Sequence, residues 1–223
     1  MLIEAALLST PMKVAGAAAT GVVLFHAALT APWRGWIDDG ERQFVWLASL
    51  GLLVLIWSMQ AGVTPGLSFR FLLVTMLTLM HGWQLAVIGA ALVLAVLSFT
   101  GHADWGSFGP NFLCVAVVPA FFTVWMHELV HAKLPHNYFV YFFLTVFLGS
   151  ALAFNVAGLA RLAMLASDGT LASARVGSEY FAFLPLMSFG EAFVNGMFMA
   201  MSVVFQPHWV MSFDDRLYLR RRD

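Results

Sequence analysis

The chain has 223 residues, of which 61% are hydrophobic and only 10% charged, with a formal net charge of −1. A soluble domain averages about half apolar and about a quarter charged, so charge this sparse excludes a soluble globule and makes lipid the natural solvent. Near-neutrality also excludes a basic field of the kind that gathers nucleic acid.

A helix that crosses a bilayer needs roughly 20 mainly apolar residues. The first stretch, MLIEAALLSTP, carries Glu4 where a cleavable signal peptide would have its basic region, so none is expected. Val14 to Ala31 reads as the first span, followed by a polar stretch with Arg34, Asp38, Asp39, Glu41 and Arg42. Phe44 to Ala61 reads as the second span. Pro65 and Gly66 then break the chain, and Phe71 to Met80 forms a third segment, short for a full crossing. His81-Gly82-Trp83 is a tight connection into a fourth helix, Gln84 to Thr100. Gly101 to Pro110 reads as a loop or re-entrant piece, Asn111 to Val130 as the fifth helix and Tyr138 to Leu162 as the sixth. Ala166 to Gly177 is a polar loop, and Tyr180 to Phe205 is the seventh helix. The single cysteine, Cys114, lies in an apolar run and reads as a structural thiol.

These segments predict an all-α integral membrane protein, a bundle of about seven transmembrane helices with one of them short. Seven crossings with the C-terminus inside put Arg34, Arg42, Lys133, Arg216, Arg220, Arg221 and Arg222 in the cytoplasm. Lys13, Arg70, Arg161 and Arg175 are left outside. The tail RLYLRRR is hard to translocate, so the expected topology is N-terminus outside and C-terminus cytoplasmic. One polytopic transmembrane domain is expected over 1–210 and a basic cytoplasmic tail over 211–223. Trp33, Trp36, Trp105 and Trp209 fall at predicted membrane boundaries, where an aromatic belt is ordinary.

The order of segments resembles the CbiM/NikM family, the substrate-capture subunits of energy-coupling-factor transporters for cobalt and nickel. MLIEAALLSTP is similar to that family's N-terminal peptide, which begins Met-His-Ile. TPGLSFRFLLVTMLTLMHGW resembles its turn, short helix and Gly-Trp connection. HADWGSFGPNFLCVAVVPA resembles its Gly- and Asn-bearing loop, and FLPLMSFGEAFVNG its last helix, which carries a Gly-Glu pair. The extracellular N-terminus expected from charge agrees with the family's topology.

The resemblance implies a metal held by the N-terminal amine, the second-residue histidine and a histidine in the turn before the short helix. A planar set of nitrogens suits Ni²⁺ and similar ions. Here position 2 is Leu2, and the turn histidine is replaced by Arg70 or its neighbour Phe69. Leucine cannot ligate, and arginine is permanently cationic and repels a divalent ion. The remaining outer-side groups available to a substrate are Met1, Glu4, Ser68, Arg70, His102, Asn111 and Glu191, together with Asp104. His102 matches a histidine that some family members carry in this loop. Arg70 has two readings: an arginine that snorkels to headgroups, or part of a site for an anionic or carboxylate-bearing solute. Glu191, inside a span, is either functional or an internal hydrogen-bonding group that fixes packing. Asn111 is either a helix cap or a site residue.

Five histidines, His81, His127, His131, His136 and His208, fall near the predicted inner face. MHELVHAKLPH contains His127-Glu128-x-x-His131, whose i, i+4 imidazoles share a helix face and could reach one Zn²⁺, with Glu128 placed to activate water. His136 is the nearest third ligand. Three readings stand: interfacial or coupling residues, a non-catalytic transition-metal site (Zn, Cu, Ni or Co), or an intramembrane metalloprotease. The chain has no phosphate-binding loop, so as a transporter subunit it needs a transmembrane coupling protein and separate ATPases. Otherwise the fold serves as an accessory or assembly subunit of a larger membrane complex. The expected location is the bacterial cytoplasmic membrane.

Overall fold

The structure, a computed structural model, describes residues 2–59, 61–64, 67–169, 174–214 and 218, with side chains at 2–59, 70–169, 183–214 and 218. After a 3₁₀ turn at Ala5–Leu7, α1 runs over Thr10–Thr30, with Ser9 accepting the Met12 N–H at its start. A short α2 (Trp33–Ile37) leads into α3 (Gly40–Ser58), which Asp39 caps by accepting from the backbone of Glu41 and Arg42. Two strands, β1 (Ala61–Thr64) and β2 (Leu67–Phe69), form an antiparallel hairpin. Then come α4 (Val74–His81) and α5 (Trp83–Phe99), joined at Gly82, whose φ of 82° suits glycine.

The remaining helices are compound. Phe108–Phe112 (α6) continues through a π-helical turn, Leu113–Val117, into α7 (Val118–Lys133). Tyr138–Val140 (α8) continues through π-helical Tyr141–Leu148 into α9 (Gly149–Ser167). The last helix, α10, spans Ala174–Phe205 with Pro185 inside it.

Among the described residues, five helices are long and apolar enough to cross a membrane: Thr10–Thr30, Gly40–Ser58, Trp105–Lys133, Tyr138–Ser167 and Phe183–Phe205. The 17-residue α5 is a shorter apolar helix. Every residue of the eight-residue α4 is buried. The third predicted segment therefore forms and is short. Outward-facing Val22, Phe25 and Leu29 of α1 are each about two-thirds exposed, as expected of a lipid-facing surface.

The boundaries differ from the sequence expectation in identifiable places. The piece read as a loop up to Pro110 is helical from Phe108, because Pro110 falls in the first turn, where its missing N–H costs nothing. The third helix starts at Val74 rather than Phe71, since Leu73 adopts a left-handed conformation (φ 52°). The hairpin before it was not anticipated: a break at Pro65-Gly66 does not disclose that the flanks pair. Past residue 210 the chain turns back under the bundle. Met211 and Ser212 donate their N–H groups to Met80 O and Leu79 O, and Phe213 and Tyr218 pack on Tyr141.

Candidate functional site

Two ends of the bundle carry the polar chemistry. At one end, the N-terminal peptide folds back over the helices, and hydrogen bonds from four side chains hold it. Asn111 pairs with Ile3 in both directions: Oδ1 accepts the Ile3 N–H (2.6 Å) and Nδ2 donates to Ile3 O (2.9 Å). Asp104 accepts from Ala5 N at 2.9 Å. Asp168 accepts from both the backbone N–H (2.7 Å) and the hydroxyl of Ser9. Arg161 donates Nη2 to Leu2 O at 3.1 Å. α1 approaches α6 closely here: a Cβ on Gly109 would stand 2.5 Å from Ala17 N and from the Gly16 carbonyl carbon.

At the same end lies the irregular stretch 70–73, which Arg70 links to His102 O. Backbone without helical partners is tolerated inside a membrane protein only where other groups satisfy it. Glu191 and Asn195 of α10 do so. The Glu191 carboxylate accepts from Leu72 N and Leu73 N, each at 2.7 Å, and from Asn195 Nδ2 at 2.8 Å; Asn195 Oδ1 accepts from Met76 N at 2.9 Å. Trp57 Nε1 donates to Leu72 O at 3.1 Å. A carboxylate at the start of α4 satisfies free N–H groups and complements the positive end of the helix dipole. Glu191 and Asn195, both buried, thus position the stretch that carries Arg70.

Arg70 is only 6% exposed. Its Nη2 donates to His102 O at a long 3.4 Å, while Nε and Nη1 are buried without a hydrogen bond among the described residues. Burial disfavours its charge, and the nearby Arg161 carries a charge of the same sign. Arg161 is itself only 3% exposed, so two arginines are buried at this end.

The substrate-binding residues named from the sequence are therefore unevenly placed. Arg70, Asn111 and Glu191 are buried at this end. Glu4 and His102 are exposed; the His102 ring faces Thr100 Oγ1 at 3.1 Å and only its carbonyl meets Arg70. Met1 and the Ser68 side chain lie outside the described residues. Asn111 does not cap its helix through its side chain and instead holds Ile3. Arg161 was counted in the sequence only as an outer charge. An arginine within the apolar run AGLARLAML is the signal that could have flagged it.

The other end holds His81, His127, His131, His136 and His208. His81 is buried, with Nε2 3.3 Å from Ser49 Oγ. His208 Nε2 and Trp209 Nε1 meet Glu41 Oε1 at 3.0 and 2.7 Å. α7 ends at Lys133, and the loop after it returns His136 so that its ring lies 4.5 Å from that of His131. The His127 and His131 rings stand 6.0 Å apart, and His131 Nδ1 lies 3.4 Å from Tyr218 OH. Glu128 is exposed. Among the described residues, no three His, Cys, Asp or Glu side chains are placed to share one ion, so His127, Glu128, His131 and His136 do not close into a ligand set.

Fold and site together define a class: a polytopic α-helical membrane protein whose N-terminal peptide is built into one end of the bundle and whose short α4 is buried. The CbiM family model, described as the cobalt uptake substrate-specific transmembrane region, matches residues 3–209, and the chain belongs to that family. The fold is shared with two crystal structures. The first, a truncated transition-metal transporter, has a TM-score of 0.73 at 19% identity and covers 93% of this chain and 100% of its own. The second, a transition-metal transporter, has a TM-score of 0.72 at 19% identity, covering 90% and 92%. No curated protein matches the chain. The resemblance read from four short segments thus extends over residues 3–209.

Proposed function

We propose that the chain is the substrate-capture component of an energy-coupling-factor-type transition-metal transporter, receiving a small solute at the end covered by the N-terminal peptide. The observation that carries this reading is the peptide itself: Asn111, Asp104, Asp168 and Arg161 fasten residues 2–9 at the end of the bundle where Arg70 meets His102 O. A peptide held by a few hydrogen bonds can open and close without disturbing the helices. Topology from the arginine-rich tail makes this the outer face of a bacterial cytoplasmic membrane. A transmembrane coupling protein and a pair of ATPases would supply the energy.

The family's description and the transition-metal transporters that share the fold support a metal as cargo. The chain's own residues do not offer the family's ligands: position 2 is Leu2, and the stretch 70–73 begins with Arg70. That exchange also favours a second reading, an accessory subunit of a larger membrane complex that keeps the scaffold. The metalloprotease reading is the weakest, because Glu128 is exposed and no ligand set surrounds it among the described residues.

Coexpression with coupling and ATPase subunits, followed by nickel and cobalt uptake and by copurification, tests the proposal. Uptake that needs this chain supports transport. Absent uptake together with copurification of unrelated membrane subunits would favour the accessory reading.

A further inference from the structure

A cation inside a membrane protein normally has a carboxylate partner or reaches water, because moving an unpaired charge out of water costs several kcal/mol. Arg70 has neither. Its one described hydrogen bond is the long contact with His102 O, and two of its three guanidinium nitrogens are buried and unmatched. The acids nearby are committed elsewhere. Both Glu191 oxygens accept from Leu72, Leu73 and Asn195; Asp104 accepts from Ala5; Asp168 accepts from Ser9. The next charged group that Arg70 feels is a second buried arginine, Arg161, of the same sign. Nothing in this arrangement invites a bare divalent ion.

We propose that the site at the end carrying the N-terminal peptide takes an anion, a small polycarboxylate either free or as its anionic chelate with a transition metal, which the Arg70 fork grips. This rests on the proposed capture role and names the substrate class for it. A guanidinium presents donors in a planar fork that matches a carboxylate's two oxygens. Both bidentate forks of a guanidinium, Nε with Nη2 and Nη1 with Nη2, share Nη2. Its long contact with His102 O takes one N–H, so its second N–H completes a fork with whichever of the unmatched Nε and Nη1 lies on that side. Arg161, fixed to Leu2 O, ties the peptide to the end of the bundle that carries Arg70. An anionic chelate would let a metal cargo pass through a site that has exchanged nitrogen ligands for arginine.

The probes are citrate, nickel citrate, the neutral trimethyl ester of citrate, and nickel and cobalt chlorides, titrated into the purified detergent-solubilised chain by calorimetry with thermal unfolding in parallel. Saturable binding and stabilisation by citrate or nickel citrate, with none by the ester, is the expected result. A chelate that binds more tightly than free citrate identifies metal as the cargo; equal binding identifies the carboxylate. Arg70→Gln should weaken binding at least tenfold, Arg70→Lys less so, and Glu128→Gln at the opposite end not at all. The ester comparison uses the native chain and so stands even if the Arg70 variants do not fold. No anion binding, ester binding equal to citrate, or undiminished binding by folded Arg70→Gln overturns the proposal, as does tight binding of bare Ni²⁺ or Co²⁺. Metal uptake by the coexpressed complex without anion binding would overturn the anion site and leave the capture role standing. Anion binding without any uptake would do the reverse.

Discussion

Asn111 treats Ile3 as a neighbouring β-strand would, accepting its N–H and donating to its carbonyl across 108 positions of sequence. A further bond from Nδ2 to Ser107 Oγ (3.0 Å) fixes the amide's orientation. One side chain thereby satisfies both backbone groups of Ile3, a residue only 2% exposed.

Asn111→Ala should release the N-terminal peptide while leaving the bundle folded. An unsatisfied buried backbone group costs about 1–3 kcal/mol, enough to shift the peptide toward its open form. Hydrogen exchange over residues 2–8 should rise at least tenfold, with a small change in the thermal unfolding of the helices. Unchanged protection of Ile3 would refute the clamp.

Glu191→Ala strands the N–H groups of Leu72 and Leu73 where water does not reach, and should cost about 3 kcal/mol or more. Asn195→Ala, which frees Met76 N and removes one of the three donors to the Glu191 carboxylate, should cost less. Both are measured by thermal unfolding in detergent. Equal stabilities for the two variants would argue against Glu191 as the brace of the 70–73 stretch.

Acid should loosen the peptide through Asp168. The hydroxyl and then the backbone N–H of Ser9 hold this carboxyl below its ordinary value of 3.8. A group with a lowered folded pKa contributes its stabilisation in full above the ordinary value, and loses it as pH falls through the lowered one. A spin label at Ala6, in a Cys114→Ser background, should report an immobile peptide from pH 7 to pH 5 and rising mobility below about pH 4. Asp168→Asn should give a mobile label with no such transition; an unchanged profile in that variant would exclude the contact as its source.

Gly109→Leu should separate α1 from α6. Even a Cβ at this position meets backbone at 2.5 Å, so α1 must move, and overpacking of this kind costs about 1–3 kcal/mol. Gly21, whose surroundings are open, is the control: Gly21→Leu should leave the unfolding temperature nearly unchanged.

The sequence by itself determined the solvent, the number of segments and their order. Those follow from apolar run length measured against bilayer thickness, a property local to each run. It also put five of the seven histidines near one end, and the family resemblance implied that Leu2, and Arg70 or Phe69, stand where the family's ligands would be. Boundaries were less legible. A left-handed Leu73 and a proline tolerated in a first turn depend on what packs around them. The partners of each site residue came only from the tertiary structure: Ile3 for Asn111, Leu72 and Leu73 for Glu191, and Arg161 as the second buried cation beside Arg70. Those pairs lie about a hundred positions apart, and nothing in local pattern ties such positions together. Only the packing of the helices decides whether an ionisable group inside the membrane meets a backbone N–H, an opposite charge, or a like one.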